Sequence, residues 1–382
     1  MQIAAIGLYD LRSRWTWSGI PHFMLRHLSA RKEISVSVHA PLIPVPLEVS
    51  ENLAHYRALG CQYFWTRDLK WASAGAAVAR MEIRKATVDH VLVFNPADAA
   101  FLDCDAPISI LLDATWSQFI DTYAPYQELP ICEETQMHGA MGERLAFERV
   151  SFILCMTPWA VEGVLREYPE CADKIRLILP GANLVMTPNR ESVEERIRLR
   201  AHTSHMSALF IGAATYRKGV DIAIESCKQL AALGTDITLD VVGSDSIGSF
   251  SLPSFMTNHG FLDKGNPAHL IQLEKLMLKS SIFILPTRAE CAGLVLAEAS
   301  AYGIPSVISG SGGTSALIID NRNGIVVGTN ASPSEYASAI SNLMSDTTRY
   351  IEMSLAARSI FEKSLNWGAF VTEMLKVISS KS

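Results

Sequence analysis

The sequence predicts an α/β protein made of two doubly wound domains, each a parallel sheet covered by helices. Three observations carry that reading. Short apolar runs alternate with longer amphipathic stretches along most of the chain, which is the pattern of βα units. The series occurs twice, and a Pro/Gly-containing, then charge-rich stretch at 180–207 divides the two. The length of 382 residues asks for two to three domains at about 150 residues each.

In the first series, residues 2–7, 34–38, 91–94, 108–112, 152–156 and 175–179 are short apolar runs that read as buried strands, because a strand covered on both faces shows no polar alternation. Residues 21–29 and 159–167 are among the helices between them. In the second series, 208–212, 237–242, 282–286, 306–309 and 324–327 read as strands, with helices at 220–233, 269–280, 294–303 and 333–345. Pro180, Gly181 and Pro188 mark the boundary, and the charge-rich part, 191–200, reads as a surface helix with solvated charges, a reading that coexists with a linker role. The expected domains are 1–185, a linker at 186–206, a second domain at 207–364 and a terminal amphipathic helix at 365–382. Ligands of such sheets sit at the C-terminal ends of the strands, here expected to face a central cleft.

Composition narrows the function. Hydrophobic residues are 49% and charged residues 19%, too apolar for a disordered chain. The net charge is −6 and neither half is basic, so a nucleic-acid partner is not expected. The seven cysteines are odd in number and scattered, which fits a reducing compartment better than a disulfide framework or a zinc ribbon. The start lacks a basic n-region, and no run reaches about eighteen apolar residues. A cytoplasmic location is the expectation, with peripheral contact at the inner face of the membrane left open around Trp15 and Phe23. The histidines show no metal-site spacing, and the acidic segment 101–150 reads as a solvated surface.

The chemistry concentrates in the second half. After the strand at 282–286 comes Thr287-Arg288-Ala289-Glu290-Cys291-Ala292-Gly293-Leu294, then a helix with Glu298 about two turns further along. Amides of Ala292, Gly293 and Leu294 at a helix start suit a phosphate. Glu290 and Glu298 suit sugar hydroxyls. The strand at 208–212 ends in a turn with Arg217 and Lys218, a pair of cations suited to a diphosphate. Ser309-Gly310-Ser311-Gly312-Gly313-Thr314 is a glycine-rich turn that lets backbone approach a ligand. In the first half, Ser18-Gly19 opens a helix, and Asp113 closes a strand either as a site residue or as an Asx turn or helix cap.

The ordered set Phe210-Ile211-Gly212, Arg217-Lys218-Gly219, Val241-Val242-Gly243, Gly260-Phe261-Leu262, Leu285 to Glu290, Glu298 to Pro305 and Gly312-Gly313 resembles the retaining family 4 glycosyltransferases of the two-domain, Rossmann-like GT-B fold. Their E-x7-E motif matches Glu290 and Glu298. Trp17-Ser18-Gly19, Leu112-Asp113-Ala114-Thr115, Pro158-Trp159-Ala160 and Pro180-Gly181-Ala182-Asn183 extend the likeness into the first half. The resemblance implies a nucleotide-sugar donor held by the second domain. Arg217, Lys218 and the Gly212 turn would meet the diphosphate, Glu290 with Ala292, Gly293 and Leu294 the transferred sugar, Glu298 the ribose, and Phe261 and Leu262 the nucleobase. The first domain would be the acceptor side, and the terminal helix would cross back to it. Members often carry Arg after the glycine matching Gly212, where this chain has Ala213. Many also place His where Asp113 stands, which makes Asp113 the candidate for acceptor or donor-sugar contact, with the Gly19 amide nearby.

The resemblance further implies a metal-independent reaction without a cofactor. A nucleotide-sugar epimerase, a phosphorylase or a non-catalytic nucleotide-sugar-binding protein could share the architecture. A dinucleotide oxidoreductase is disfavoured, because Gly7-Leu8-Tyr9-Asp10 stands where a Gly-x-Gly-x-x-Gly turn would follow the first strand.

Overall fold

A computed structural model describes residues 1–243 and 252–379. The chain divides into two units, one of Met1–Leu179 with the helix Trp367–Ser379, the other Pro180–Asn366. Residues 244–251 and 380–382, which fall inside the expected second domain and terminal helix, lie outside the described residues.

The first unit holds a six-stranded sheet of β1 (Gln2–Ile6), β2 (Ser35–His39), β3 (His90–Val93), β4 (Ile108–Leu112), β5 (Phe152–Cys155) and β6 (Ile175–Leu177). The order is β2-β1-β3-β4-β5-β6 and every pairing is parallel. Every residue of β3, β4 and β5 is buried, which is why these strands read as unbroken apolar runs. Register runs Ile6 to Val93, Val93 to Ile110 and Ile110 to Ile153, and these side chains form the core with Phe147 and Val164. The helix Ile20–Ser29 has Pro21 in its first turn, where a missing N–H costs nothing. The helix Trp367–Ser379 buries Trp367, Phe370, Val371 and Met374. Arg31 ties it down, donating to the Gly368 carbonyl at 3.0 Å and to Thr372 Oγ1 at 2.5 Å.

The second sheet contains β7 (Met206–Ile211), β8 (Ile237–Val242), β9 (Met256–Asn258), β10 (Ile282–Leu285), β11 (Ser306–Ser309) and β12 (Gly324–Val327), in the order β12-β11-β10-β7-β8-β9, again parallel throughout. Sequence periodicity missed β9 because it is a three-residue edge strand with one buried side chain, Met256. Within the stretch expected as a linker at 186–206, the charge-rich part is a helix, as its reading as a surface helix has it. Asn189 caps the helix Arg190–Ala201, whose Val193, Ile197 and Arg200 are buried. The Arg200 guanidinium donates to the carbonyls of Ser280, Tyr302 and Gly303, so this helix is part of the second unit while Glu191, Glu195, Arg196 and Arg198 stay exposed.

Four longer helices also went unread: Leu47–Ala58, Leu69–Ile83, Glu133–Arg149 and Thr347–Lys363. Their apolar stripes are weak. Leu47–Ala58 buries only Val49, and Glu133–Arg149 buries small residues such as Thr135, Gly139 and Gly142. A Cβ on Gly139 would sit 2.4 Å from the Trp116 indole, so the absent side chain makes room for that ring. Glu143 on this helix is buried, which corrects the reading of 101–150 as wholly solvated.

In each sheet the chain moves outward and then returns to the other side of its first strand. The reversal lies between β1 and β3 in one unit and between β7 and β10 in the other. Those two places are where doubly wound sheets bind ligands.

Candidate functional site

The turn after β7 and the turn after β10 meet at the reversal of the second sheet. After β7 come Gly212, Ala213 and a single helical turn, Thr215–Lys218, closed by Gly219 at φ +81°. A Cβ on Gly219 would lie 2.0 Å from the Pro286 carbonyl oxygen, so only glycine lets the two turns touch. The Arg288 amide donates to the Arg217 carbonyl at 2.8 Å, and the Arg288 guanidinium reaches Asp221 at 2.6 and 2.8 Å. Gly212 lies under Lys218, whose Cγ would be 2.8 Å from an added Cβ.

This packing brings the predicted charges together. The Lys218 ammonium donates to Glu290 Oε2. Arg217 Nη1 lies 3.6 Å from the same oxygen and donates to the Ala289 carbonyl at 2.5 Å. Glu290 is 8% exposed, and two cations against one carboxylate leave an excess positive charge in a partly desolvated place. Coulomb attraction to a phosphate is several times stronger there than in bulk water. Glu298, also buried, binds Lys264 Nζ at 2.5 Å, and Lys264 donates to the Asn183 carbonyl at 3.1 Å. The two glutamates are therefore held by different lysines. The helix that carries Glu298 is Val295–Ala301, which places Glu298 in its first turn rather than two turns along.

Backbone completes the arrangement. Gly293 has φ +75°, and among the described residues nothing accepts a hydrogen bond from the amides of Ala292, Gly293 or Leu294. The glycine-rich turn after β11 seats Glu290: Gly313 N donates to the Glu290 carbonyl at 3.2 Å, and a Cβ on Gly312 would fall 1.9 Å from that oxygen. Phe261 is 41% exposed while Leu262 is buried, beside Gly260 and the Lys264 loop.

In the first unit, Asp113 neither caps a helix nor stands alone. Thr115 caps the helix Trp116–Tyr123, while Asp113 Oδ2 accepts from the Trp17 indole at 3.0 Å. Trp17 and Ser18 have φ +45° and +55°, unusual for residues with side chains. Gly19, φ +82°, is the N-cap of the helix Ile20–Ser29, which has no side-chain cap, so Ser18 does not cap it.

Sequence reasoning missed Lys264, although it stands two positions after Leu262, and it missed the polar cluster at the reversal of the first sheet. There the Leu8 amide donates to Asp98 Oδ1 at 2.9 Å and the Tyr9 hydroxyl points to the Phe94 carbonyl. Burial pushes Asp98 up to about 7, opposed by backbone amides and by Arg67. Glu143, which accepts from the Trp116 amide and the Tyr168 hydroxyl, is likewise raised to about 7 by burial. Desolvation lowers the Arg67 guanidinium from its ordinary value, while Glu143, Tyr9, Asp113 and Asp98 oppose that shift. Arg67 packs its guanidinium 4.7 Å from the centre of the Trp116 ring. No local sequence pattern signals this cluster, because its members come from segments far apart in the chain.

Residues 194–360 match the family described as Glycosyl transferases group 1. The matched stretch lies within the second unit. The group 1 segment contains Arg217, Lys218, Lys264, Glu290 and Glu298, so the resemblance read from the motifs is borne out. Among relatives, a D-inositol 3-phosphate glycosyltransferase of Paenarthrobacter aurescens is 27% identical over 59% of this chain and 56% of its own length. A second, from Corynebacterium aurimucosum, is 26% identical over 63% of this chain, which spans 59% of that relative. The chain thus spans less than two thirds of these first relatives. Spore coat protein SA of Bacillus subtilis is 21% identical over 90% of this chain and 93% of its own. Among solved structures, sucrose-phosphate synthase from Thermosynechococcus elongatus has a TM-score of 0.69 at 17% identity, covering 100% of this chain and 98% of that one. Anabaena HepE, solved with UDP, has a TM-score of 0.67 at 15% identity and covers 100% of both chains. The chain therefore has the GT-B fold, with two Rossmann-like units.

Proposed function

We propose that the protein transfers a sugar from a nucleoside diphosphate sugar, with UDP or GDP as the nucleotide, to a hydroxyl of a glycan, lipid-linked or small-molecule acceptor. Transfer retains the anomeric configuration and uses neither a metal nor a cofactor. The observation that carries this reading is the convergence of Arg217, Lys218, Glu290 and the Ala292–Leu294 backbone where the second sheet reverses. HepE, which shares the fold, has been solved with UDP and with UDP-glucose.

In this reading Arg217 and Lys218 meet the diphosphate, with Gly212 keeping the strand end low beneath it. Glu290 then turns from Lys218 toward hydroxyls of the transferred sugar. Glu298, positioned by Lys264, accepts the ribose hydroxyls, and Phe261 and Leu262 border the nucleobase. The bond from the anomeric carbon to the diphosphate oxygen breaks, placing positive charge on the sugar and negative charge on the leaving group. Two cations and the amides of Gly293 and Leu294 stabilise that negative charge, an electrostatic contribution that needs no metal. The acceptor oxygen bonds to the anomeric carbon on the face the diphosphate leaves, and its proton passes to a diphosphate oxygen. The first unit takes the acceptor role: Asp113, oriented by the Trp17 indole, contacts the acceptor or the donor sugar, and the Gly19 amide donates to a phosphate or an acceptor oxygen.

No helix among the described residues is long and apolar enough to cross a membrane. The proposed setting is the cytoplasm, with the inner membrane face as the place to meet a lipid-linked acceptor. The test is a panel of UDP and GDP sugars scored by binding and by nucleotide release, alongside Lys218→Ala and Glu290→Gln. Binding of one donor with acceptor-dependent release, lost in both variants, supports transfer. Release without an acceptor points to an epimerase, a phosphate requirement to a phosphorylase, and binding without release to a non-catalytic protein.

A further inference from the structure

A second polar cluster lies in the first unit and takes no part in the transfer just described. Asp68, Glu134 and His138 each bring one ligand atom to within 4.8 Å of the others. Asp68 is the N-cap of the helix Leu69–Ile83 and accepts from the Lys70 amide at 2.9 Å. Glu134 and His138 stand four apart on the helix Glu133–Arg149, which puts both on one face. His138 Nδ1 points at Asp68 Oδ1 across 3.5 Å, and this nitrogen is buried without a hydrogen-bond partner.

Charge gives an independent argument. Two carboxylates face one another here, and among the described residues no Lys or Arg pairs with either. The neighbouring Lys70 ammonium is taken by Glu48 at 2.5 Å. Both carboxylates are also fixed from behind: the Tyr63 hydroxyl donates to Asp68 Oδ2 at 2.5 Å and the Tyr56 hydroxyl donates to Glu134 Oε2. These two rings stack with centroids 5.3 Å apart. Oriented acidic ligands, backed by hydroxyl donors and lacking a cation, leave a negative site that an imidazole nitrogen completes.

We propose that Asp68, Glu134 and His138 form a divalent transition-metal site, with zinc the best-matched ion. An imidazole beside two carboxylates selects a borderline ion over magnesium, which prefers oxygen ligands and keeps its waters. Tetrahedral zinc, with bonds of about 2.0–2.2 Å, places its ligand atoms roughly 3.4 Å apart, so side-chain adjustments within the present spacing close the set. Three protein ligands leave the fourth position to water. The ion would staple the start of Leu69–Ile83 to Glu133–Arg149, two helices that also carry or adjoin Arg67 and Glu143. This role is structural and does not depend on the transferase reading.

The experiment is calorimetric titration of the chelator-treated full chain with zinc chloride near neutral pH, together with cobalt(II) spectroscopy and thermal melting. Expected are one zinc per chain, a cobalt spectrum without a thiolate charge-transfer band, and a melting temperature that zinc raises. Glu134→Gln and His138→Ala each weaken zinc binding by more than about tenfold, and Tyr63→Phe by about tenfold through its carboxylate partner. If His138→Ala does not fold, the near-isosteric Glu134→Gln decides alone. Absence of saturable zinc uptake, uptake unchanged in Glu134→Gln, or a persistent thiolate band, which would move the ion to the cysteines, overturns the proposal.

Discussion

At the level of single residues, Lys218 is the group whose chemistry reaches furthest. Its ammonium bonds a buried carboxylate, and its stem packs over Gly212, where an added Cβ would lie 2.8 Å from Lys218 Cγ. Charge-assisted hydrogen bonds contribute about 1.5–3 kcal/mol, so Lys218→Ala is expected to weaken nucleotide-sugar binding by about tenfold to a hundredfold in calorimetry. Unchanged affinity would remove it from the donor site. Asp113 is a sharper case, because the structure takes away its ordinary explanation as a cap and leaves it bonded to the Trp17 indole. Asp113→Ala should lower turnover or raise the acceptor KM, and Trp17→Phe should do the same more weakly by removing the indole donor from the carboxylate. If Asp113→Ala keeps full turnover and acceptor KM, the residue has no part in transfer.

At the level of elements, the turns of the proposed donor side depend on backbone contacts that a side chain would forbid. Gly219 and Gly312 both have positive φ, and an added Cβ would meet carbonyl oxygens at 2.0 and 1.9 Å. Backbone cannot give way as a flexible side chain can, so alanine at either site must push a turn outward. The expected cost in urea unfolding is above about 2 kcal/mol, combining strain with left-handed backbone. For Gly312→Ala we also expect weaker donor binding, since that turn supports Glu290. Gly60 also has positive φ but nothing near its Cβ position, so Gly60→Ala should cost less than either.

At the level of the whole molecule, buried ionisable groups in the first unit give stability a pH dependence. Asp98 and Glu143 are raised to about 7 by burial, so between about pH 4.5 and 7 the folded state holds protons that the unfolded state has lost. Their contribution is complete at low pH and is lost as pH rises through 7. His90, lowered to about 4 by burial, acts in the opposite direction, since its neutral folded form is favoured above about 6.5 and penalised as pH falls toward 4. Two carboxylates outweigh one imidazole, and the first unit should lose stability from pH 5 to pH 8, with a slope on the order of 1 kcal/mol per pH unit. Glu143→Gln should flatten that slope in thermal melts; an unaltered slope would show that Glu143 ionises normally. A saturating donor at about 100 times its Kd should add roughly 2.7 kcal/mol to the stability of the transition it binds, and Lys218→Ala should cut that gain to roughly 0.4–1.4 kcal/mol at the same concentration.

The amino-acid pattern by itself determined the sheet strands, because β3, β4, β5, β7, β8, β10 and β11 are buried on both faces and need continuous apolar residues whatever surrounds them. It also marked the residues proposed for the donor side, since Arg217, Lys218 and Glu290 each lie within a few residues of a strand end and a glycine. The tertiary structure alone decided which charges meet: Glu290 with Lys218 across 72 positions, Glu298 with Lys264 across 34. It alone folded the stretch at 190–201 onto the second unit, and it alone assembled Asp68 with Glu134 and His138 and placed Asp98 near Arg67. These are long-range pairings between side chains whose local surroundings look like ordinary helix ends and turns. Periodicity reports the face an element buries, whereas the partners of a polar group are set by how distant elements pack.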